Sequence, residues 1–238
     1  MMKDIDYDAL NSEGFLRQKQ EGFFLLRARG EAGNYTREQF LAFAEISKRY
    51  GRGIIHLTTR QGLEIPFIRF EDIENVKRDI LKAGIQPGTS GPRMRTTTAC
   101  PGSSWCKRGL IDTVSLYKRI EGELGIRCGT ELPHKFKIAL SGCPNKCTRA
   151  DASEIGIHAG LEASGPAREI RYTVYLGGCG GKAPHMGFKL DKTFAEDEVL
   201  VLVKNVVAYY KEKAKPRQRL ALLIKETGRG IFLKEVGL

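Results

Sequence analysis

Two pairs of cysteines constrain this chain more than anything else in it. Cys100-Pro101-Gly102-Ser103-Ser104-Trp105-Cys106 is a C-x5-C segment, and Gly142-Cys143-Pro144-Asn145-Lys146-Cys147 sets a C-x3-C segment about forty residues further on. Four thiolates are the usual complement of a four-iron cluster. The glycines and prolines beside them let backbone bend sharply around a bulky inorganic core and approach sulfur closely. A structural zinc site is the competing reading, but it typically uses tighter spacing, often C-x2-C. The redox-active C-x-x-C dithiol is absent. Two further cysteines stand apart: Cys128, which reads as a buried small hydrophobe, and Cys179 in Gly177-Gly178-Cys179-Gly180-Gly181-Lys182, which is a cofactor contact or a bystander. That glycine-rich loop lacks the Lys-Ser/Thr ending of a phosphate-binding loop.

The rest of the chain accommodates such a centre. With 238 residues, 41% of them hydrophobic, it can form one large domain or two small ones. Met1–Leu10 is acidic and polar, and no run of 18 apolar residues occurs, so neither a signal segment nor a membrane span is expected. A cytoplasmic location follows as the expectation, and in a reducing compartment six cysteines point to metal binding or catalysis before disulfides. The balance of 39 Lys+Arg against 28 Asp+Glu gives +11 and favours an anionic partner, against the bland alternative of a solvated basic surface. No zinc-finger spacing, RNP-type motif or basic tail accompanies it, so nucleic acid is not the expected anion.

Periodicity divides the chain. Phe23–Ala28 reads as a strand, then a helix capped by Thr36 runs to about Tyr50, with Phe40, Phe43, Ala44 and Ile46 on one face. Ile54–Thr58 and Leu63–Phe70 read as a hairpin turning at Arg60-Gln61-Gly62, and Glu71–Ala83 as a second helix. This βαββα order predicts a compact α+β lobe with helices on one sheet face. Residues 86–109, rich in glycine, proline and threonine, read as a long irregular segment of functional rather than disordered type. Beyond it, the pattern predicts a helix over Leu110–Leu124, a strand over Lys135–Ser141, strands near Ile155–His158 and Ile170–Leu176, helices over Glu196–Lys213 and Arg217–Thr227, and a last strand over Ile231–Glu235.

The strand before the second cysteine pair carries its own signal. A period of two places Lys135, Lys137, Ala139 and Ser141 on one face and Phe136, Ile138 and Leu140 on the other. Two lysines above small residues make either one wall of an anion pocket or an ordinary solvated face.

A C-x5-C pair followed by G-C-P-x-x-C resembles the cluster region of the sulfite and nitrite reductases, and Thr58-Thr59-Arg60-Gln61-Gly62 is similar to a turn in that family's N-terminal lobe. The likeness extends over roughly residues 20–230. It implies a ferredoxin-like N-terminal lobe over residues 1–85 and a mixed α/β lobe over residues 86–238 that binds sirohaem and a 4Fe-4S cluster. Cys100, Cys106, Cys143 and Cys147 would hold the cluster, with Cys147 bridging to the haem iron, and Arg93, Gln61, Thr97 and Asn145 would contact cofactor. Arg60, Arg95, Lys135 and Lys137 would clamp the substrate oxyanion, with Arg93 the rival of Arg95. The implied reaction is six-electron reduction of sulfite to sulfide, or of nitrite to ammonia; a cluster-only electron-transfer subunit is the alternative.

The chain is short for the family and lacks the C-x2-C-x2-C-x3-C-P run of a built-in ferredoxin, so an external donor such as a ferredoxin-like protein is expected. It resembles the low-molecular-weight sulfite reductases. Because larger relatives take clamp and cluster from different halves, a homodimer is also expected, each site combining the cysteines of one protomer with the basic residues of the other.

Overall fold

The computed structural model describes residues 5–164, 167–181 and 183–238. The expectation for Met1–Leu10 falls partly on the first four residues, and that for the glycine-rich loop partly on Lys182; these lie outside the described residues. The chain divides into two units, Met1–Gly91 and Pro92–Leu238.

The first unit opens with two elements that the sequence reading did not anticipate, helix α1 (Tyr7–Ser12) and strand β1 (Phe15–Arg17). It continues through β2 (Phe23–Arg29), α2 (Arg37–Tyr50), β3 (His56–Leu57), β4 (Gly62–Arg69), α3 (Ile73–Lys82) and β5 (Gln86–Pro87). Among the described residues these strands form one antiparallel sheet in the order β1-β2-β4-β3, with β5 also pairing to β2. Burial alternates along β2, so Phe24, Leu26 and Ala28 enter a core with Phe43 and Ile46 of α2 and Val76 and Ile80 of α3. The expected face of α2 needs correction: Ala44 is exposed and Phe40 is 44% exposed, whereas Ser47 is buried with Phe43 and Ile46. Phe40 sits at the edge of the buried stripe, its ring 5.5 Å from that of Tyr35.

The α2 N-terminus shows why the helix starts where it does. Thr36 Oγ1 accepts from the Gln39 N–H at 3.1 Å, and Gln39 Oε1 accepts from the Thr36 N–H at 3.0 Å. These two bonds satisfy orphan donors reciprocally. Thr36→Ala is therefore expected to cost about 1 kcal/mol, read as a melting temperature lower by roughly 2–4 °C; an unchanged melting temperature would show that the cap is dispensable.

The second unit contains β6 (Thr98–Ala99), α4 (Thr113–Lys118), β7 (Ile138–Ser141), β8 (Ile155–Ser164), β9 (Ala167–Leu176), β10 (Phe188–Lys189), α5 (Glu196–Lys213), α6 (Leu220–Thr227) and α7 (Arg229–Glu235). Among the described residues its sheet runs β10-β9-β8-β7-β6; the β6–β7 and β7–β8 pairs are parallel and the others antiparallel. Every residue of β7 is buried, as expected of a strand with parallel neighbours on both sides.

Three expectations change here. The helix over Leu110–Leu124 begins only at Thr113, because Asp112 caps it by accepting from the Val114 and Ser115 N–H groups at 2.9 and 3.0 Å. It passes into a π-helical turn over Arg119–Glu123. The helix over Arg217–Thr227 begins at Leu220, and Arg217 has a left-handed φ of 66°. The last strand is instead α7: Phe232 and Val236, four residues apart, are buried while Ile231 is 60% exposed. That is a helical period, which a run of five residues is too short to reveal.

Candidate functional site

Strands β6 and β7 lie side by side and parallel, with Thr98 opposite Ala139 and Ala99 opposite Leu140. One residue past β6 the chain reaches Cys100; two residues past β7 it reaches Cys143. Parallel neighbours end at the same edge of a sheet, so two cysteine segments that are distant in sequence start from adjacent positions. The Cys100 N–H donates to the Leu140 carbonyl at 3.1 Å, and the Leu110 N–H to the Gly142 carbonyl at 2.8 Å, which ties the two loops together.

The backbone here is packed more closely than any side chain would allow. A Cβ on Gly102 would fall 2.4 Å from the Ile111 carbonyl oxygen, one on Gly109 would fall 2.1 Å from the Gly102 oxygen, and one on Gly142 would fall 2.8 Å from the Gly102 Cα. The Gly142 N–H donates to Cys100 Sγ at 3.1 Å, the kind of hydrogen bond to sulfur that tunes iron–sulfur centres. Cys143 is buried, Cys100 and Cys106 are half-buried, and Cys147 is exposed. Among the described residues no three His, Cys, Asp or Glu side chains converge on a single metal ion. A soft set of four thiols spread over two loops, with glycine backbone against it, fits a multi-iron cluster better than one ion.

The basic residues lie on the approach to the same two strands. Met94 pairs with Phe136 in a parallel bridge, with the Arg95 N–H donating to the Phe136 carbonyl at 2.8 Å and the Phe136 N–H to the Arg93 carbonyl at 3.3 Å. Met94 and Phe136 are both fully buried. Neighbours along an extended chain point to the opposite face, so Arg93 and Arg95 on one segment and Lys135 and Lys137 on the other share a face. Regular β7 begins only at Ile138, which corrects the strand expected over Lys135–Ser141. Ala139 and Ser141 are buried and the lysines half-buried, so this face is not an ordinary solvated one.

The pairing offset also changes between the Met94–Phe136 bridge and the Thr98–Ala139 pair, leaving one extra residue between Met94 and Thr98. Thr97 lies in that stretch, is fully buried, and has an Oγ1 with no hydrogen-bond partner among the described residues. An unpartnered buried hydroxyl is costly and marks a place where a bound group would supply the missing bond. Asn145 is exposed on the second cysteine segment.

The electrostatics agree with a cationic wall. Burial first, and then the charges of Arg219, Lys135, Arg95 and Arg217, hold the His134 imidazole below its ordinary range. Beneath the lysine segment lies a carboxylate that sequence reasoning missed. Glu154 is 1% exposed and accepts from Arg219 Nε at 2.8 Å and from the Lys137 N–H at 2.9 Å. Burial pushes its carboxyl up, and Arg219 works against that rise.

Arg60 and Gln61 belong to the first unit. Their turn is locked by Thr58 Oγ1, which accepts from the Arg60 and Gly62 N–H groups at 3.3 and 3.0 Å, and Gln61 has a left-handed φ of 60°. Tyr35, also missed, donates its hydroxyl to the Gln61 carbonyl at 3.2 Å, and burial pushes that phenol up to about 12. Of the remaining thiols, Cys179 is buried with Sγ 3.5 Å from the Ala183 carbonyl, and half-buried Cys128 lies 3.6 Å from Thr96 Oγ1.

Residues 90–238 match the family model described as "Nitrite and sulphite reductase 4Fe-4S domain", and residues 16–83 match "Nitrite/Sulfite reductase ferredoxin-like half domain". The chain is 31% identical to the coenzyme F420-dependent sulfite reductase of Methanocaldococcus jannaschii, in an alignment covering 94% of this chain and 44% of that protein. It is 28% identical to the ferredoxin–nitrite reductase of Leptolyngbya laminosa, covering 93% of this chain and 45% of that one. The chain thus spans under half the length of these curated relatives. Among solved structures, dissimilatory sulfite reductase I superposes with a TM-score of 0.80 at 17% identity, over 90% of this chain and 69% of that one. The Mycobacterium tuberculosis NirA protein superposes with a TM-score of 0.78 at 18% identity, over 95% and 45% of the respective chains. These two likenesses are of fold. Among the described residues no helix is long and apolar enough to cross a membrane.

Proposed function

The chain belongs to the nitrite and sulfite reductase family, and we propose that it reduces a small oxyanion, sulfite to sulfide with nitrite to ammonia as the alternative, using electrons from an external donor. The family's cofactors are a 4Fe-4S cluster and sirohaem; Cys100, Cys106, Cys143 and Cys147 would hold the cluster, Cys147 would be shared with the haem iron, and Thr97 and Arg93 would contact the tetrapyrrole. When bound, these cofactors would relay to the oxyanion the six electrons that either reduction needs and that the external donor supplies. The observation that carries this reading is the shared register: two adjacent parallel segments each present a pair of cations and then, a few residues on, a pair of thiols. A carrier of electrons alone has no use for such a basic face.

Arg95, Lys135 and Lys137 offset the charge of the oxyanion and donate hydrogen bonds to its oxygens. Either lysine can also hand on a proton at Nζ as each oxygen departs as water. Arg95 is held in place by donating from Nη1 to the Arg93 carbonyl at 3.2 Å. Glu154 fixes the Lys137 backbone from below. A second copy of the chain and an external donor are the partners this reading expects.

Lys135→Met and Lys137→Met remove charge while keeping much of the stem packing. Each is expected to slow anion reduction by roughly 10²-fold with iron content and haem spectrum unchanged; loss of haem would reassign the lysines to the cofactor. The reading as a whole is tested by the optical spectrum of anaerobically purified protein and by turnover of sulfite and nitrite in the same preparation. Intense Soret and visible bands with sulfide formation are the expected result, and ammonia formation alone would select the alternative. A protein with only the broad absorption of a cluster would be an electron-transfer subunit, and a colourless one loaded with zinc would overturn the proposal.

A further inference from the structure

The turn between Cys143 and Cys147 is conformationally expensive. Lys146 and, just beyond the turn, Arg149 both have left-handed φ values, 50° and 55°, which non-glycine residues adopt only when their surroundings enforce it. The Lys146 N–H donates to the Cys143 carbonyl at 3.3 Å and the Arg149 N–H to the Lys146 carbonyl at 2.8 Å, so the strain sits within the thiol-bearing segment itself.

The Lys146 side chain is tethered at its far end. Its ammonium is ion-paired with Asp151 and lies 5.0 Å from the centre of the Tyr175 ring. Tyr175 stands on β9 opposite Gly156 of β8, where a Cβ would fall 1.7 Å from the Ala150 carbonyl oxygen. Asp151 is anchored in turn, because its carbonyl accepts from the Gly187 N–H at 2.8 Å and a Cβ on Gly178 would come within 2.7 Å of the same oxygen. Strand β9 thus reaches the Lys146 ammonium through Tyr175, and the glycine-rich loop packs on the backbone of its ion-pair partner Asp151. Both ends of the ion pair are partly buried, with 29% and 21% of the side chains exposed, so solvent screens their charges incompletely.

We propose that Lys146 and Asp151 are positioning residues that lock the Cys143–Cys147 turn for the cluster and, as opposite charges beside a ligand, balance its reduction potential. This rests on the reading that the four cysteines bind the cluster. A cation near a redox centre favours the reduced, more negative form and an anion disfavours it. The two charges must then act with opposite signs, which a purely structural role would not require.

The test uses the reconstituted full chain and measures iron per chain, the rate of iron loss to a chelator and the cluster midpoint potential by redox titration. Lys146→Met is expected to lower the potential and Asp151→Asn to raise it, with the double variant returning toward wild type. Both single variants should lose iron at least twice as fast. Lys146→Arg, which keeps the cation, should be free of the Lys146→Met defect, including any failure to load. Shifts in the same direction, no shifts with wild-type iron retention, or a Lys146→Arg protein as defective as Lys146→Met would each overturn the proposal. A wild-type chain that takes up no iron would instead sink the cluster reading on which it rests.

Discussion

In Cys147→Ser protein, oxyanion reduction is expected to fall to background, a loss of at least ~10³-fold or about 4 kcal/mol of transition-state stabilisation, and the haem absorption bands are expected to shift or disappear. Cys147 is the exposed member of the four thiols, whereas Cys143 is buried and Cys100 and Cys106 are half-buried. Under the proposed reading the outward thiol would be the one open to the second cofactor. A serine oxygen is harder and far more basic than a thiolate and is a poor bridge between two iron centres. Measuring iron content, optical spectrum and turnover together checks the assignment, and native spectra with native turnover would refute it. Cys128→Ser is the control that should leave all three intact.

Arg219→Met is expected to lose about 3–5 kcal/mol of stability, the range for leaving one member of a buried pair uncompensated. At roughly 2–4 °C per kcal/mol for a chain of this size, the melting temperature should drop by about 6–20 °C. Glu154 is 1% exposed and Arg219 is its cation, so the variant leaves a carboxylate in the interior with the Lys137 N–H as its remaining named donor. The sign of the pH dependence follows from the raised Glu154 carboxyl. Between the unfolded carboxyl's range and the higher folded value, the folded state holds the proton more firmly, so stability falls as pH rises through that window. Removing Arg219 widens the window upward. Thermal unfolding should therefore show a larger deficit against wild type at pH 8 than at pH 5. Equal deficits at both values, or a loss below about 1 kcal/mol, would mean that the pair is not the support it looks to be.

Much of the first unit can be read from its residues because the signals are local. The alternation in β2, the capping box at Thr36 and the turn at Gln61 each occupy a few consecutive positions. Helix α5 spans Glu196–Lys213, as its period indicates. Errors arise where a segment is too short to show a period, as in α7, or where burial depends on what packs above, as with Phe40 and Ala44 of α2. The elements α1 and β1, six and three residues long, are too short to show a period, and β1 gains its order by pairing with β2 while Phe15 enters the core.

The basic surplus, the α+β class and the family follow from the residues alone, since each is a matter of residue type and spacing. The arrangement of those residues is settled only by the tertiary structure. No local pattern says that β6 and β7 are parallel neighbours, that an extra residue lies before Thr98 where Thr97 Oγ1 has no hydrogen-bond partner among the described residues, or that Glu154 meets Arg219 across a separation of 65 residues. Such contacts depend on both partners and on the register between them, and each strand by itself is compatible with several registers. The same holds for Lys146, whose ammonium meets Asp151 and the ring of Tyr175 on β9 while its backbone is left-handed.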